Sequence, residues 1–310
     1  MKGGRCVIFA YSEVGVRCLK VLQSMGAEIE LVVTHRDDPN EHRWYGSVAE
    51  TAAGFGTPVI EPDSAADPAL LQRLQALRPD FIFSFYYRHM IGTQLLATAR
   101  RGALNMHGSL LPKFRGRAPV NWAVAKGATE TGATLHYMVE KPDAGEIVGQ
   151  QAVPILADDS AREVFDKVVV AAEIVLWTAW PKLSAGTAPR IAQDLTAGSY
   201  FGRRTPEDGR IDWRASAKEI HDLVRAVAPP YPGAFTDVDG VRLFVHRTQR
   251  RPSASRATPP TIACLQRHGD EVIVQCADGQ QLSVLEGKVG DETIAAWMRR
   301  SGLDRLELRG

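Results

Sequence analysis

The sequence predicts an α/β protein, an open, mostly parallel, twisted sheet covered by helices, followed by a smaller β-barrel. Three observations carry this expectation. Between Cys6 and Met106, short apolar runs alternate with segments whose apolar residues recur at helical spacing, the pattern of parallel strands joined by crossover helices. From Ala234 to Leu285 the apolar runs are short and divided by tight-turn signals, as in a small antiparallel barrel. The 310 residues suffice for two domains. Their expected bounds are 1–189 for the larger, 190–204 for a linker and 205–310 for the smaller.

In order along the chain, Cys6–Tyr11 is a continuous apolar run, as expected of a strand buried on both faces. Val14, Cys18, Val21, Leu22 and Met25 then mark one helical face, closed near Gly26, and Ile29–Thr34 is a second strand. Beyond the polar loop His35–Arg43, Trp44–Ala53 reads as helix and Pro58–Ile60 as a short strand. Pro68–Leu77 is a helix with Asp67 placed to cap it and Leu70, Leu71, Leu74 and Leu77 on its apolar side. Asp80–Tyr86 is a strongly apolar strand, Leu95–Thr98 sits in a helix, and Gly102–Met106 is the next strand. Pro119–Ala125 begins a helix, Thr131–Val139 and Glu146–Val153 form a strand pair, and Ser160–Leu183 is a long helix. The smaller domain opens with a helix at Ala217–Val227 behind Ser216. Strands follow at Ala234–Val238, Arg242–His246, Val272–Cys276 and Leu282–Leu285, with Thr261–Leu265 as a fifth, and a last helix covers Glu292–Arg300. Asp239-Gly240 and Asp278-Gly279 are hairpin turns. The biased stretch Arg247–Pro260 reads as a mobile loop.

Composition narrows the function classes. A hydrophobic share of 45% with 24% charged residues is ordinary for a globular chain. With 37 basic against 36 acidic residues, the formal charge of +1 argues against a main task of gripping nucleic acid through its phosphates. Cys6, Cys18, Cys264 and Cys276 form no CxxC pair, so neither a metal site nor a disulfide framework is indicated. The N-terminus runs straight into a strand without a signal-peptide pattern, and no run is expected to approach bilayer-spanning length. Together these lead to the expectation of a cytoplasmic protein with no membrane insertion. The first strand-to-helix turn, Tyr11–Gly15, lacks G-x-G-x-x-G, which argues against a dinucleotide cofactor.

The chemistry concentrates in residues 103–119. A strand presents Asn105 and His107 two residues apart, hence on one face, then breaks at Gly108 into a stiff basic loop containing Pro112, Lys113, Arg115 and Arg117. An amide donor beside a proton-transfer group at a strand's end suits acyl transfer. An isolated Asn-x-His is usually structural, so the neighbours matter. Asp143, in the turn of the following strand pair, is the candidate third group: a carboxylate against His107 would orient the ring and favour its imidazolium form. Aspartate in a Pro-Asp-Ala-Gly turn is more often a simple turn former, and spacing alone does not decide between the two. His136 reads as core or edge of its strand, and His35, His42, His221, His246 and His268 have no evident catalytic partner.

Residues 105–112 (NMHGSLLP), 115–119 (RGRAP) and 143–145 (DAG) resemble the motif set of the formyltetrahydrofolate-dependent formyltransferases. The stretches 45–49 (YGSVA), 83–90 (FSFYYRHM), 114–119 (FRGRAP), 201–206 (FGRRTP) and 232–235 (PGAF) are similar, within that family, to the formyltransferase domain of the bifunctional UDP-4-amino-4-deoxy-L-arabinose enzyme. The resemblance spans nearly the whole chain and is weakest from Arg247 onward. It implies a Rossmann-like formyltransferase fold with a C-terminal OB-like domain. It also implies 10-formyltetrahydrofolate as co-substrate, no metal, and transfer to the 4-amino group of a UDP-linked amino sugar, as in lipid A modification and polymyxin resistance. In that reading Asn105 donates to the oxyanion, His107 relays a proton and Asp143 tunes it. By the same resemblance His89, Met90 and Ile91 offer backbone contacts to the pterin-like ring, and Arg117 and Val139, Glu140, Lys141, Pro142 and Asp143 line the folate site. Arg203 and Arg204 fit either phosphate contacts or interdomain salt bridges.

Alternatives remain within and outside this class. Methionyl-tRNA formyltransferase shares the trio, but a tRNA enzyme needs a basic loop in the first domain, and Arg36–His42 is mixed to acidic. Arg247, Arg250, Arg251 and Arg256 are the counter-evidence. A ligand-binding protein that keeps the fold without turnover, and a formylfolate hydrolase, are the other two. The hydrolases resembling this site usually carry a small domain ahead of it, and no G-x-S-x-G nucleophile motif is present. The expected partners are the two small-molecule substrates, folate and UDP-sugar, and a decarboxylase, fused or separate. The oligomeric state is left open.

Overall fold

The apolar run at the N-terminus becomes β1 (Arg5–Ala10), with Cys6 to Ala10 fully buried, as a strand covered on both faces requires. The computed structural model describes residues 4–36, 43–252 and 262–308. The chain divides into two compact units: Met1–Pro119, Glu130–Val153 and Asp166–Gly202 in the first, and Val120–Thr129, Pro154–Phe165 and Arg203–Gly310 in the second.

After β1 come α1 (Ser12–Ser24), β2 (Glu28–Val33), α2 (Val48–Gly54), β3 (Val59–Ile60) and α3 (Pro68–Leu77). Asp67 accepts from the Ala69 N–H at 2.9 Å with Pro68 at the first helical position, so α3 starts where the sequence places its cap. Leu70 and Leu74 bury against Val7, Phe9, Leu31 and Ile82, each such side chain contributing about 1.5–3 kcal/mol. The helix expected from Trp44 begins only at Val48. Ser47 caps it by accepting from the Glu50 N–H at 3.2 Å, and Gly46 ahead of it favours irregular backbone.

Next are β4 (Phe81–Phe85), α4 (Thr93–Leu96), β5 (Gly102–His107), the two-residue β6 (Arg115–Gly116), α5 (Pro119–Ala125), β7 (Glu130–Tyr137), β8 (Ile147–Pro154), α6 (Ala161–Ala185) and β9 (Tyr200–Phe201). The main sheet runs β3-β2-β1-β4-β5-β7-β8, parallel from β3 to β5, with β7 antiparallel to β5. That last pairing sets Asn105 opposite His136 and His107 opposite Thr134. Residues 190–202 group with the first unit, where β9 pairs with β6.

At 25 residues, α6 exceeds the expected absence of any bilayer-length apolar run, with a hydropathy of 1.3 in its most apolar window. Half of that window is buried inside the protein, and Trp180 packs edge-on to Phe81 and Phe83 of β4.

The second unit carries α7 (Ala217–Val227), started by a Ser216/Glu219 capping box. A seven-stranded antiparallel, nearly closed barrel follows: β10 (Ala234–Val238), β11 (Val241–Arg250), β12 (Ala263–His268), β13 (Glu271–Gln275), β14 (Gln281–Val289), β15 (Glu292–Thr293) and, after α8 (Ile294–Arg300), β16 (Arg305–Leu308). Asp239 and Gly240 both have positive φ, 49° and 80°, as a two-residue hairpin turn demands. β11 and β14 run longer than the sequence pattern indicates, and β15 and β16 carry too few alternating apolar residues to be read from it. Of the expected loop Arg247–Pro260, Arg247–Arg250 belong to β11. Residues 253–261, with Arg256 and Thr261, and residues 37–42, with His42, lie outside the described residues.

Candidate active site

β5 fixes the centre of the site. Its pleat sends Asn105 and His107 to one face, and β7 beside it adds His136 directly across from Asn105. Every hydrogen bond here constrains a proton. His107 Nε2 lies 2.9 Å from the Phe114 carbonyl, which can only accept, so Nε2 carries the hydrogen and Nδ1 is the reactive nitrogen. Nδ1 faces Asp143 Oδ1 at 3.5 Å, with the two side chains only 7% and 13% exposed. When Nδ1 is protonated, Asp143 is the counter-charge waiting for it.

Asp143 is held through both its side chain and its backbone. Its Oδ2 accepts the Gly116 N–H at 2.8 Å, and the Gln193 side chain donates to the Asp143 and Gly145 carbonyls at 3.1 and 2.6 Å. The residue sits at φ 55°, a left-handed conformation that aspartate tolerates better than most. The turn cannot take a side chain at Gly145, where a Cβ would come within 1.9 Å of the Tyr137 carbonyl oxygen.

The carbonyl that holds His107 is set by β6 and β9. The Phe114 N–H donates to Ser199 Oγ at 2.9 Å, Arg115 N–H to the Ser199 carbonyl at 2.9 Å and Arg117 N–H to the Phe201 carbonyl at 3.0 Å. Gly116 has φ 99°, and a Cβ there would lie 2.1 Å from the Phe201 carbonyl oxygen, so only glycine permits this strand contact. Below the loop, Thr134 Oγ1 donates to the Ser109 carbonyl at 2.6 Å and accepts from the Leu111 N–H at 3.1 Å. Gln150 Nε2 donates to the Leu111 carbonyl at 2.8 Å.

Sequence reasoning missed His136 and Gln193. His136 is 1% exposed; its Nδ1 lies 2.9 Å from the Tyr137 carbonyl, its Nε2 lies 3.2 Å from Asn105 Nδ2, and the same Nε2 is 3.7 Å from Asp143 Oδ1. Burial pushes its pKa down to about 4, against a smaller opposing pull from Asp143, so the ring is neutral at physiological pH. The only sequence signal for His136 was its position in an alternating strand beside β5. Gln193 lay in the stretch read as linker, with no local signal.

The expected folate-contacting segments follow β4 and β7, the two neighbours of β5 in the sheet. His89 and Met90 are exposed, Met90 at 65%, whereas the Ile91 side chain is buried in the core with Tyr87 and Leu95. Arg117, Val139, Glu140, Lys141 and Pro142 are exposed. His89 stands edge-on to His35 and Tyr87; His35 itself stacks on Tyr87 with centroids 4.1 Å apart and accepts the Arg88 N–H at 3.0 Å. Burial lowers His35 to about 4, so it too is neutral. Within the second unit, Arg204 lies over the Trp122 ring at 4.6 Å and donates to the Asp208 carbonyl at 3.0 Å.

A family model described as formyl transferase matches residues 10–179, and one described as formyl transferase, C-terminal domain, matches 203–299. The chain belongs to the formyltransferase family. Asn105, His107, His136 and Asp143 all fall within the first matched segment of this formyltransferase, and the barrel strands β10 to β15 within the second. Among solved structures, an N-formyltransferase from Helicobacter canadensis, in complex with folinic acid and dTDP-3-aminofucose, is similar at 17% identity. It covers 91% of this chain and 98% of its own, with a TM-score of 0.70. A 4-N formyltransferase from Francisella tularensis is similar at 18% identity, over 79% of this chain and 97% of its own, with a TM-score of 0.64. HypX from Aquifex aeolicus, in complex with tetrahydrofolic acid, is similar at 17% identity over 96% of this chain but only 47% of its own, with a TM-score of 0.62. At these identities the likeness is one of fold.

Proposed function

We propose that this formyltransferase moves a formyl group from 10-formyltetrahydrofolate to the amine of a nucleotide-linked amino sugar, and specifically to the 4-amino group of UDP-4-amino-4-deoxy-L-arabinose. The chemistry belongs to residues 1–189, with 205–310 as the smaller domain, in a cytoplasmic enzyme of the kind that feeds lipid A modification and polymyxin resistance. The observation that carries the reading is the convergence of an amide, an imidazole and a carboxylate, from β5 and the turn after β7, in a chain of this family.

In this reading the neutral amine attacks the formyl carbon, and the Asn105 amide donates to the oxyanion that forms, a contribution of about 3–4 kcal/mol. His107 Nδ1 takes the proton from the attacking nitrogen and returns it to the leaving folate nitrogen, while Nε2–H stays committed to the Phe114 carbonyl. Asp143 stabilises the transient imidazolium. Residues His89, Met90 and Ile91, the last through its backbone, and the turn Val139–Asp143, with Arg117, supply the folate contacts. The solved N-formyltransferase described with folinic acid and dTDP-3-aminofucose supports an amino sugar nucleotide as acceptor, and the one described as a 4-N formyltransferase supports a 4-amino group.

The test is to incubate the protein with 10-formyltetrahydrofolate and, separately, UDP-4-amino-4-deoxy-L-arabinose, other amino sugar nucleotides and charged initiator tRNA. Formylation of the UDP sugar is expected. Formylation of the tRNA alone, or release of formate without any acceptor, would overturn the assignment.

A further inference from the structure

We infer that His136 is a positioning residue for Asn105, fixing which face of its amide meets the formyl oxygen. This rests on the function proposed above and goes beyond it, because an asparagine side chain is polar at both ends. Rotated by half a turn, Asn105 would present a carbonyl to a developing oxyanion and oppose the reaction. Something must set the rotamer before substrate arrives.

The hydrogen bonds around His136 do this in sequence. The Tyr137 carbonyl accepts from Nδ1, so the ring's single hydrogen is there. Nε2 therefore offers a lone pair, and the group 3.2 Å from it on Asn105 must be the NH₂. The flipped amide would set its oxygen against that lone pair, at a nitrogen that already has Asp143 Oδ1 3.7 Å away. With one N–H committed to His136, the second points at a fixed angle away from it, available to the substrate. The groups facing the ring are Asn105, Asp143, His107 and the Tyr137 carbonyl. Burial, which leaves 1% of His136 exposed, keeps the ring neutral, as the lone-pair role requires. His136 touches no reacting atom in this account; it acts through Asn105.

Steady-state formyl transfer by His136→Leu and His136→Gln separates this role from a merely structural one. Leucine removes the acceptor, and kcat is expected to fall about 10- to 100-fold with the folate KM unchanged. Glutamine restores an acceptor oxygen and is expected to recover most of that loss. In an Asn105→Ala background, His136→Leu should cost nothing further, because the residue it positions is gone. Independent, additive losses, or wild-type kcat in His136→Leu, would overturn the inference. A trans-hydrogen-bond nitrogen coupling between Asn105 Nδ2 and His136 Nε2, with ring nitrogen shifts of the Nδ1–H tautomer, gives a readout on the unmutated protein that needs no turnover. Finding the proton on Nε2 refutes the positioning role even if leucine unfolds the chain. Lack of turnover by the wild type refutes the proposed function and leaves the tautomer measurement to decide this one.

Discussion

Replacing Asp143 by asparagine keeps the shape of the turn and the acceptor for the Gly116 N–H, but removes the charge facing His107. At the observed 3.5 Å, a unit-charge pair in surroundings of effective dielectric about 20 interacts by about 5 kcal/mol. Both side chains are largely shielded from water, so little of this is lost to screening. Asparagine still offers a carbonyl dipole, which recovers part of the stabilisation. The expected loss in kcat for Asp143→Asn is therefore about 100- to 1000-fold, with the folate KM close to wild type. Asp143→Ala additionally strands the Gly116 N–H and should lower stability by about 1–3 kcal/mol, which asparagine should not. The assay is formyl transfer under saturating substrates, paired with thermal melts of both variants. An Asp143→Asn enzyme within threefold of wild type would show that the carboxylate is a turn former and nothing more.

Gly116→Ala should be destabilising by about 1–3 kcal/mol or more, and should cost activity through the displaced Phe114 carbonyl. It forces a Cβ against the Phe201 carbonyl at a positive φ, and an unchanged melting temperature would contradict the β6–β9 contact. Gln193→Leu removes the donor to the Asp143 and Gly145 carbonyls; turnover should fall while the second unit's fold is unaffected, as read by kinetics and circular dichroism. His136 and His35 both have folded pKa values lowered to about 4 from 6.5, so the unfolded chain takes up their protons first. Their stabilisation is complete above pH 6.5 and is lost as pH falls toward 4, so melting temperature should drop across that window. His136→Gln should flatten the drop, and an unaltered profile would contradict the buried neutral ring.

What could be read from the chain was what local chemistry encodes. The β5 strand and its Asn105/His107 spacing are legible because side chains two apart share a face. The turn position of Asp143 is legible too, but its approach to His107 is not, since spacing leaves both a turn former and a partner of the ring open. The α3 start is legible because Asp67 and Pro68 are its cap and first residue. His136 was not, since its contact with Asn105 arises from the register of β5 against β7, and register is set by the whole sheet. Gln193 and β9 were hidden for the same reason: a two-residue strand has no periodicity, and its partner β6 is 85 residues away. Trp44–Ser47 looked helical by apolar spacing but forms non-helical backbone ahead of the Ser47 cap.

The most direct measurement is the single-turnover rate of formyl transfer by His107→Ala, with binding of the folate co-substrate followed separately. If His107 Nδ1 carries the proton between the two nitrogens, the transfer rate should fall at least about 100-fold while the folate remains bound. A His107→Ala protein that binds folate and transfers formyl at the wild-type rate would contradict the account at its centre.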